Sequence, residues 1–243
     1  MSATELLPPD DFVARLRAEG VRRYHDQHAF HVLMHAGKLT RAQLQAWVLN
    51  RYYYQTRIPI KDALIVAKSE DPAFRRLWIH RIHDHDGDGP GAGGLALWLR
   101  LAEAVGLDRD EVASCRSVLP GVRFACDSYV ALVRESPLVV AVASSLTEMF
   151  APDIMSRRIA AWEQHYPWVG AEALGYFKVR VARARVDGEE GLAFVVAHAT
   201  SRALQENCVA ALVRKTEILW HLLDCVYQST FATVTGPPRV EAT

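Results

Sequence analysis

Polar and charged side chains recur at helical spacing in stretches whose other residues are apolar. Three pairs stand four positions apart, which places both members of each pair on one helix face. They are Arg51 and Gln55, Arg81 and His85, and Tyr176 and Arg180. Arginine can bind a carboxylate with two hydrogen bonds, and histidine exchanges protons near neutral pH. The spacing predicts an unusually polar, cationic helix interior with the chemistry to hold an anion and move protons.

A histidine-rich stretch near the N-terminus could instead bind a metal. It reads YHDQH from Tyr24 and continues to His31 and His35. His28, His31 and His35 fall on one side of a helical wheel, but no carboxylate accompanies them. Neither a Glu-x-x-His pair nor a His-Glu-x-x-His motif occurs in the chain. We therefore predict no metal site, and a metal on these three histidines or a haem on His25 or His28 remains an alternative.

The elements that position these residues are predicted to be helices. Apolar residues recur with a helical period nearly everywhere, and alternating strand-like runs are scarce. The fold class is predicted to be all-α, with one compact helical bundle over residues 1–235 and a frayed tail over 236–243. Thr40 and Gln43 form a capping-box signature, and Asp71 followed by Pro72 marks another helix start.

Proline and glycine predict where the helices end. Pro59 is expected to kink or restart the helix that carries Arg51, and Gly188 is expected to separate two long helices over 170–185 and 188–231. A single helical pattern covers 138–164. The glycine-rich segment over 86–94 follows His85 and is predicted to be a loop. Substrate binding could order this loop and close a site beside it, and a plain flexible connector is the alternative.

Composition excludes several classes of protein. The chain has 243 residues, half of them hydrophobic, with 28 basic and 28 acidic side chains. This composition excludes intrinsic disorder, and the zero net charge argues against nucleic acid as a partner. The longest uncharged apolar stretch, over 137–146, is too short to cross a bilayer. Four dispersed cysteines and the lack of an export signal predict a soluble, cytoplasmic protein without membrane partners.

Several segments together resemble one known family. RYYYQTRIPIKDA, RIHDHDGDG, SSLTEMFAP and HYPW followed by YFKVR are similar, in matching order, to the pyrroloquinoline quinone synthase C family. The resemblance covers residues 12–231. It implies a haem-oxygenase-like helical bundle and a homodimer. It also implies ring closure and eight-electron oxidation of a tricarboxylate quinone precursor by O2, without metal or redox cofactor and with release of hydrogen peroxide and water.

The resemblance also implies the site residues, because twelve positions hold the residue type that the family pattern expects. The implied catalytic residues are His85, Tyr176, Arg180, Tyr24 and His25. The implied substrate-binding residues are Arg51, Gln55, Lys61, Arg81, Tyr129, Glu148 and Lys215. Met155 departs from the pattern, since some relatives place a histidine there.

Chemical reasoning then suggests roles for these residues. Fixed cations would offset the cost of removing the substrate carboxylates from water. His85 is the candidate base, and Tyr176 and Arg180 would stabilise reduced oxygen as it forms. Three other functions remain open on the same fold: a metal- or haem-dependent oxygenase, a quinone carrier without catalysis, and a thiaminase-like hydrolase. The last would need a cysteine nucleophile, and no cysteine lies within the polar clusters.

Overall fold

The computed structural model describes residues 5–231, and in that range all regular structure is helical. The predicted tail over 236–243 and the predicted domain end at 235 lie outside the described residues. Eleven α-helices occur in the described range. They are α1 (Pro9–Arg23), α2 (Ala29–His35), α3 (Arg41–Ala67), α4 (Pro72–Asp86), α5 (Gly93–Ala104), α6 (Arg109–Ser114), α7 (Pro120–Glu135), α8 (Leu138–Ala143), α9 (Ala151–His165), α10 (Gly175–His198) and α11 (Arg202–Phe231).

Local sequence signals explain how two of these helices begin. Thr40 and Gln43 form the predicted capping box at the start of α3, because each side chain bonds the backbone of the other. The Asp71 carboxylate accepts hydrogen bonds from the first turn of α4, in which Pro72 lacks a donor. Both helix starts predicted from these signals are confirmed.

Pro59 does not interrupt α3, so the predicted restart is wrong. The helix continues from Arg41 to Ala67 with Pro59 buried inside it. A proline in a helix interior leaves the carbonyl four residues earlier without its main-chain donor, and that carbonyl belongs to Gln55. Burial of both halves of α3 in the bundle outweighs this loss, and one helix therefore carries Arg51, Gln55 and Lys61.

The pattern over 138–164 does not form one helix. It divides into α8, a 3-10 turn over Leu146–Phe150, and α9, with Pro152 in the first turn of α9. The segment Leu138–His165 is long and apolar enough to cross a membrane by length and composition alone, and it contains a hydrophobic window with a mean hydropathy of 1.4. Two thirds of that hydrophobic window is buried within the fold, as expected of a core segment.

Gly188 lies inside α10, and the predicted break at this residue is wrong. The helix ends at His198, and α11 begins at Arg202. Gly188 is needed for packing, since a Cβ atom there would lie 3.1 Å from the Met149 backbone nitrogen and 3.3 Å from the Glu148 carbonyl carbon. The missing side chain lets the 3-10 turn that carries Glu148 approach α10 closely.

Large aromatic side chains form the middle of the bundle. Trp47 of α3 lies 5.4 Å from Trp98 and 6.1 Å from Trp162, measured between ring centroids. Phe177 of α10 packs against all three indoles. These side chains fix α3, α5, α9 and α10 relative to one another, and the polar site lies beside them.

Candidate active site

Eight of the twelve predicted site residues line one cavity. They are Tyr24, His25, Arg51, Gln55, His85, Glu148, Tyr176 and Arg180. The cavity lies between α3, α4, α9, α10, α11 and the turns that precede α2 and α9. Polar side chains are therefore gathered in a protein interior where apolar ones would be expected, as the helical spacing predicted.

Arg51 presents its positive charge to the cavity. The guanidinium lies 3.9 Å from the ring centroid of Tyr54, a cation–π contact. Among residues 5–231, no carboxylate lies within ion-pair distance of Arg51, although the side chain is buried. A buried arginine in this state has hydrogen-bond donors to offer an anionic ligand.

Arg180 is held by two carboxylates. One of its terminal nitrogens lies 2.7 Å from a Glu148 oxygen and 2.9 Å from an Asp187 oxygen. Burial disfavours the charge of Arg180, but Glu148 and Asp187 together raise its pKa above the usual value. The side chain stays charged and fixed in place, and its other terminal nitrogen has no partner among the described residues.

Asp187 ties α4 to α10 behind the cavity. Its carboxylate lies 3.2 Å from His80 Nε2 and 3.7 Å from Arg81 Nε, in addition to its contact with Arg180. Burial would raise the pKa of Asp187, but these partners hold it well below its usual value. Sequence reasoning missed Asp187, although its position seven residues after Arg180 places it on the same face of α10.

His85 faces the cavity from the last turn of α4. Its Nδ1 donates a hydrogen bond of 3.1 Å to the backbone carbonyl of Arg81. Burial and, to a smaller extent, Arg180 lower the pKa of His85 to about 4. The ring is neutral at pH 7, and its Nε2 carries the lone pair.

Tyr176 donates a hydrogen bond to Gln55. The distance from the Tyr176 hydroxyl to Gln55 Oε1 is 2.7 Å, and both side chains are buried. Trp98 meets the Tyr176 ring edge to face at 4.9 Å. Burial raises the pKa of Tyr176, which keeps the hydroxyl protonated and able to donate.

Tyr24 and His25 line the cavity from the turn that precedes α2. Their rings stack with centroids 4.4 Å apart. Burial raises the pKa of Tyr24 and lowers that of His25 well below the usual histidine value, so both side chains are uncharged. His31 and Arg158 lie directly behind His25.

The other four predicted residues form a buried layer behind the cavity wall, which we call the back layer. It consists of Lys61, Arg81, Tyr129 and Lys215. None of these four lines the cavity. Their assignment to substrate binding stays a prediction.

Lys61 and Arg81 have acidic partners within the fold. Lys61 Nζ lies 2.6 Å from Asp62 and donates to Ser145 Oγ at 2.9 Å. Arg81 donates to the Asp187 carbonyl at 2.6 Å and lies over the Trp78 ring at 3.8 Å. Their charges are thus offset by partners inside the bundle.

Lys215 has no acidic partner among the described residues. It lies between the stacked rings of Tyr54 and Tyr129 and donates to the Tyr54 hydroxyl at 2.9 Å. Burial, with Arg51 nearby, lowers the pKa of Lys215 well below its usual value. The amine is therefore connected to the cavity through Tyr54, which lines it.

Sequence reasoning missed Tyr54 and Arg158. Tyr54 stands three positions after Arg51, a helical spacing that could have revealed it. Arg158 is buried, donates to His31 Nε2 at 3.3 Å, and lies 3.6 Å from the sulfur of Met155, which lines the cavity. Burial lowers the pKa of Arg158 to about 9.

The histidines considered for a metal do not converge. His28 Nε2 pairs with Asp224 at 3.0 Å, and its Nδ1 accepts from the Phe30 backbone, which leaves no nitrogen for a metal. Within residues 5–231 the one group with metal-ligand spacing is His80, Asp187 and Glu190, away from the cavity lining. Two arginines already neutralise this group.

The cysteines lie away from the cavity as well. All four are free, and burial raises the pKa of Cys126 and of Cys208 to about 12. No cysteine lines the cavity. The site therefore lacks the thiolate nucleophile that a thiaminase-like reaction needs.

The fold is that of the haem-oxygenase-like helical proteins. A domain of unknown function with this fold from Shewanella denitrificans aligns with a TM-score of 0.77 at 14% identity, covering 98% of this chain and 100% of that one. A TenA homologue from Pseudomonas syringae pv. tomato aligns with a TM-score of 0.72 at 13% identity, covering 90% and 92%. The predicted all-α, haem-oxygenase-like bundle is confirmed.

Sequence comparison identifies the family. The chain belongs to the TENA/THI-4/PQQC family, whose model matches residues 13–225. Pyrroloquinoline-quinone synthase of Rhizobium meliloti is 52% identical over 227 residues, which cover 93% of this chain and 89% of that protein. Pyrroloquinoline-quinone synthase of Xanthomonas campestris pv. campestris is 52% identical over 224 residues, covering 92% and 90%. The resemblance read from the sequence motifs is confirmed.

Proposed function

We propose that this protein catalyses the final step of pyrroloquinoline quinone formation. In this reaction a tricarboxylate quinone precursor undergoes ring closure and eight-electron oxidation by O2, with release of hydrogen peroxide and water. The identity of 52% to two pyrroloquinoline-quinone synthases over more than nine tenths of the chain supports this activity. The observation that carries the proposal is the convergence of eight predicted polar residues on one cavity.

Arg51 binds a substrate carboxylate in this proposal. It faces the cavity without an acidic partner among the described residues, so binding breaks no existing ion pair. A guanidinium can bind a carboxylate through two parallel hydrogen bonds, which fixes the orientation of the ring as well as the charge.

His85 removes a proton from the substrate. The Arg81 carbonyl occupies its Nδ1–H, which leaves the Nε2 lone pair as the acceptor. Burial keeps the ring neutral, as a base must be before the reaction. Proton removal produces an electron-rich anion that can give electrons to O2 one at a time.

Tyr176 and Arg180 stabilise the reduced oxygen species. They are four residues apart on α10, and both line the cavity with His85. The unpartnered Arg180 nitrogen is a donor fixed before the reaction, which lowers the cost of reorganisation when negative charge develops. The Tyr176 hydroxyl donates to that charge by giving up its hydrogen bond to Gln55. Glu148 holds Arg180 in place, and Tyr24 and His25 orient the substrate.

Substrate entry requires the cavity to widen. Its volume is about 40 Å³, whereas pockets for ligands of drug size measure roughly 300–1,000 Å³. The loop between α4 and α5 leads into the first turn of α5, which is close to the reacting groups, since a Cβ on Gly94 would lie 3.3 Å from the Tyr176 ring. Ordering of this loop on substrate binding is part of the proposal, and comparable proteolysis of the loop with and without substrate would contradict it.

The proposal includes a reaction without metal or redox cofactor, a homodimer, and a cytoplasmic location. The resemblance to the pyrroloquinoline quinone synthase C family supports the first two. Sedimentation of the purified protein measures its oligomeric state, and a monomer at micromolar concentration would contradict the homodimer.

Aerobic incubation of metal-free protein with the precursor tests the activity. We expect the quinone absorbance and hydrogen peroxide to rise together. A carrier would consume no oxygen in a single turnover, and an oxygenase of another type would show a Soret band or stoichiometric iron.

His85→Ala should slow oxidation by roughly 100-fold or more while changing substrate binding far less. Equal rates would remove His85 from the proton-transfer role.

A further inference from the structure

The two histidines of the cavity have different hydrogen-bond partners at Nδ1. For His85 the partner is the backbone carbonyl of Arg81, at 3.1 Å. A carbonyl oxygen only accepts, so the proton of the neutral His85 ring is on Nδ1. The lone pair is then on Nε2, the nitrogen left for the cavity.

The hydrogen-bond partner of His25 Nδ1 is His31, which is itself bonded to Arg158. A terminal nitrogen of Arg158 lies 3.3 Å from His31 Nε2. Because arginine only donates, His31 Nε2 is the acceptor and carries the lone pair. The proton of the neutral His31 ring is then on Nδ1. That N–H lies 3.0 Å from the His25 carbonyl oxygen and 3.2 Å from His25 Nδ1, and it can donate to both.

These hydrogen bonds determine the tautomer of His25. Because His25 Nδ1 faces a donor, it carries the lone pair, and the proton is on Nε2. His25 Nε2 is the nitrogen left for the cavity, which His25 lines together with His85. Burial of all three groups and the charge on Arg158 oppose a second proton on either ring, in agreement with the lowered pKa values of His25 and His31.

We propose that the cavity holds its two histidines in opposite tautomers, with His25 presenting an Nε2–H donor and His85 presenting an Nε2 lone pair. His31 and Arg158 are positioning residues that act through His25. On the basis of the proposed function, the two histidines then have different roles although their side chains are chemically identical. His85 accepts the substrate proton, and His25 donates a hydrogen bond to the substrate or to an oxygen that gains negative charge.

The tautomers can be measured without substrate. The protein is labelled with 15N at histidine, and long-range proton–nitrogen correlation spectra identify which ring nitrogen of each histidine is protonated. His25→Gln and His85→Gln assign the two sets of signals. We expect the unprotonated nitrogen to be Nδ1 in His25 and Nε2 in His85. Identical tautomers, or rapid averaging between tautomers at His25, would overturn the proposal.

Kinetics of His31 variants test the positioning role. His31→Leu removes the donor to His25 and should lower kcat roughly tenfold, with a much smaller change in KM. His31→Asn can place an amide N–H near the position of the lost Nδ1–H and should recover most of kcat. Unchanged kcat in His31→Leu, or equal losses in both variants, would contradict the role of His31.

His35→Phe is the matched control. The His35 ring stacks on His31 at 6.0 Å but makes no hydrogen bond to His25, so its replacement should leave kcat and the His25 signals unchanged. The spectra need no substrate, so the two proposals can fail separately. An inactive protein with the expected opposite tautomers would refute the proposed function alone. An active protein in which His25 and His85 have the same tautomer would refute this inference alone.

Discussion

Arg51 of the cavity wall differs from Lys61 and Arg81 of the back layer in how its positive charge is held. Arg51 faces the cavity without an acidic partner within the described range, whereas Lys61 and Arg81 are paired with Asp62 and Asp187. A cation that is already paired gains little from a substrate carboxylate, because the first ion pair must break. The difference indicates that Arg51 binds substrate and that Lys61 and Arg81 maintain the shape of the wall.

Breaking the Lys61–Asp62 pair should have the largest effect on stability. Lys61→Met leaves the Asp62 carboxylate buried with the Trp78 indole N–H as its remaining partner at 2.8 Å. We expect the free energy of unfolding to fall by about 3–5 kcal/mol. Urea denaturation measures this change.

A double variant controls for the lost side-chain volume. Lys61→Met with Asp62→Leu removes both charges and should recover most of the stability. If the single and double variants are equally unstable, packing and not the buried charge explains the loss.

The neutral state of His85 should make stability depend on pH. Its pKa is 6.5 in the unfolded chain and about 4 in the folded protein. The unfolded state therefore binds the proton first, so the stability contributed by His85 is complete above pH 6.5 and is lost as pH falls towards 4. The expected loss is roughly 3 kcal/mol.

His85→Gln should flatten this part of the pH profile, as measured by urea denaturation between pH 7.5 and 4. His80→Gln serves as a control of opposite sign. The hydrogen bond to Asp187 raises the pKa of His80. The stability that His80 contributes is therefore present below pH 6.5 and is lost as pH rises. Parallel profiles for wild type and His85→Gln would show that His85 is not held neutral.

Removing Arg51 should weaken binding without weakening the fold. Arg51→Gln removes charged hydrogen bonds worth about 1.5–3 kcal/mol, so the substrate dissociation constant should rise roughly 10- to 100-fold. The unfolding free energy should stay within about 0.5 kcal/mol of wild type, since no ion pair is broken. Calorimetry with the precursor and urea denaturation measure the two quantities.

Arg57→Gln is the matched control on the same helix, because Arg57 pairs with Asp127 away from the cavity. It should leave substrate affinity unchanged. Equal losses of affinity in both variants would indicate a general electrostatic effect and remove the distinction between wall and back layer.

Lys215→Met should have a much smaller effect on stability than Lys61→Met. The amine has no acidic partner in the described range and donates one hydrogen bond, to Tyr54. Its removal should cost about 1 kcal/mol. A loss as large as that of Lys61→Met would show that Lys215 is a charged member of the back layer.

Sequence reasoning found the fold class and five residues of the cavity wall because both depend on local spacing, whereas Tyr24, His25 and Glu148 followed from the family resemblance. Residues four positions apart share a helix face in any helix, so the pairs containing Arg51, His85 and Arg180 could be found without knowing the bundle. Which predicted residues line the cavity and which lie behind it depends on how helices pack. Spacing therefore did not separate Arg51 from Lys61.

The wrong break predicted at Gly188 and the missed residues Asp187 and Arg158 also depend on how the helices pack. Gly188 has a low intrinsic helix propensity, but its missing side chain lets Glu148 approach Arg180, and this tertiary contact determines the local structure. Asp187 and Arg158 act through partners on other helices or turns, such as His80 and His31. Helical spacing places Asp187 on the same face of α10 as Arg180, but no local pattern shows which residues of other elements Asp187 and Arg158 contact.

Pro59 has a mechanical consequence for α3. The hydrogen bond that it lacks would have joined it to the Gln55 carbonyl, and this gap lies between the half of the helix that carries Arg51 and the half that carries Lys61. A helix can flex at such a point without breaking a main-chain hydrogen bond. The half of α3 that carries Arg51 can thus move to admit a larger substrate, while the half that carries Lys61 is held by hydrogen bonds from Lys61 to Ser145 and from Trp78 to Asp62.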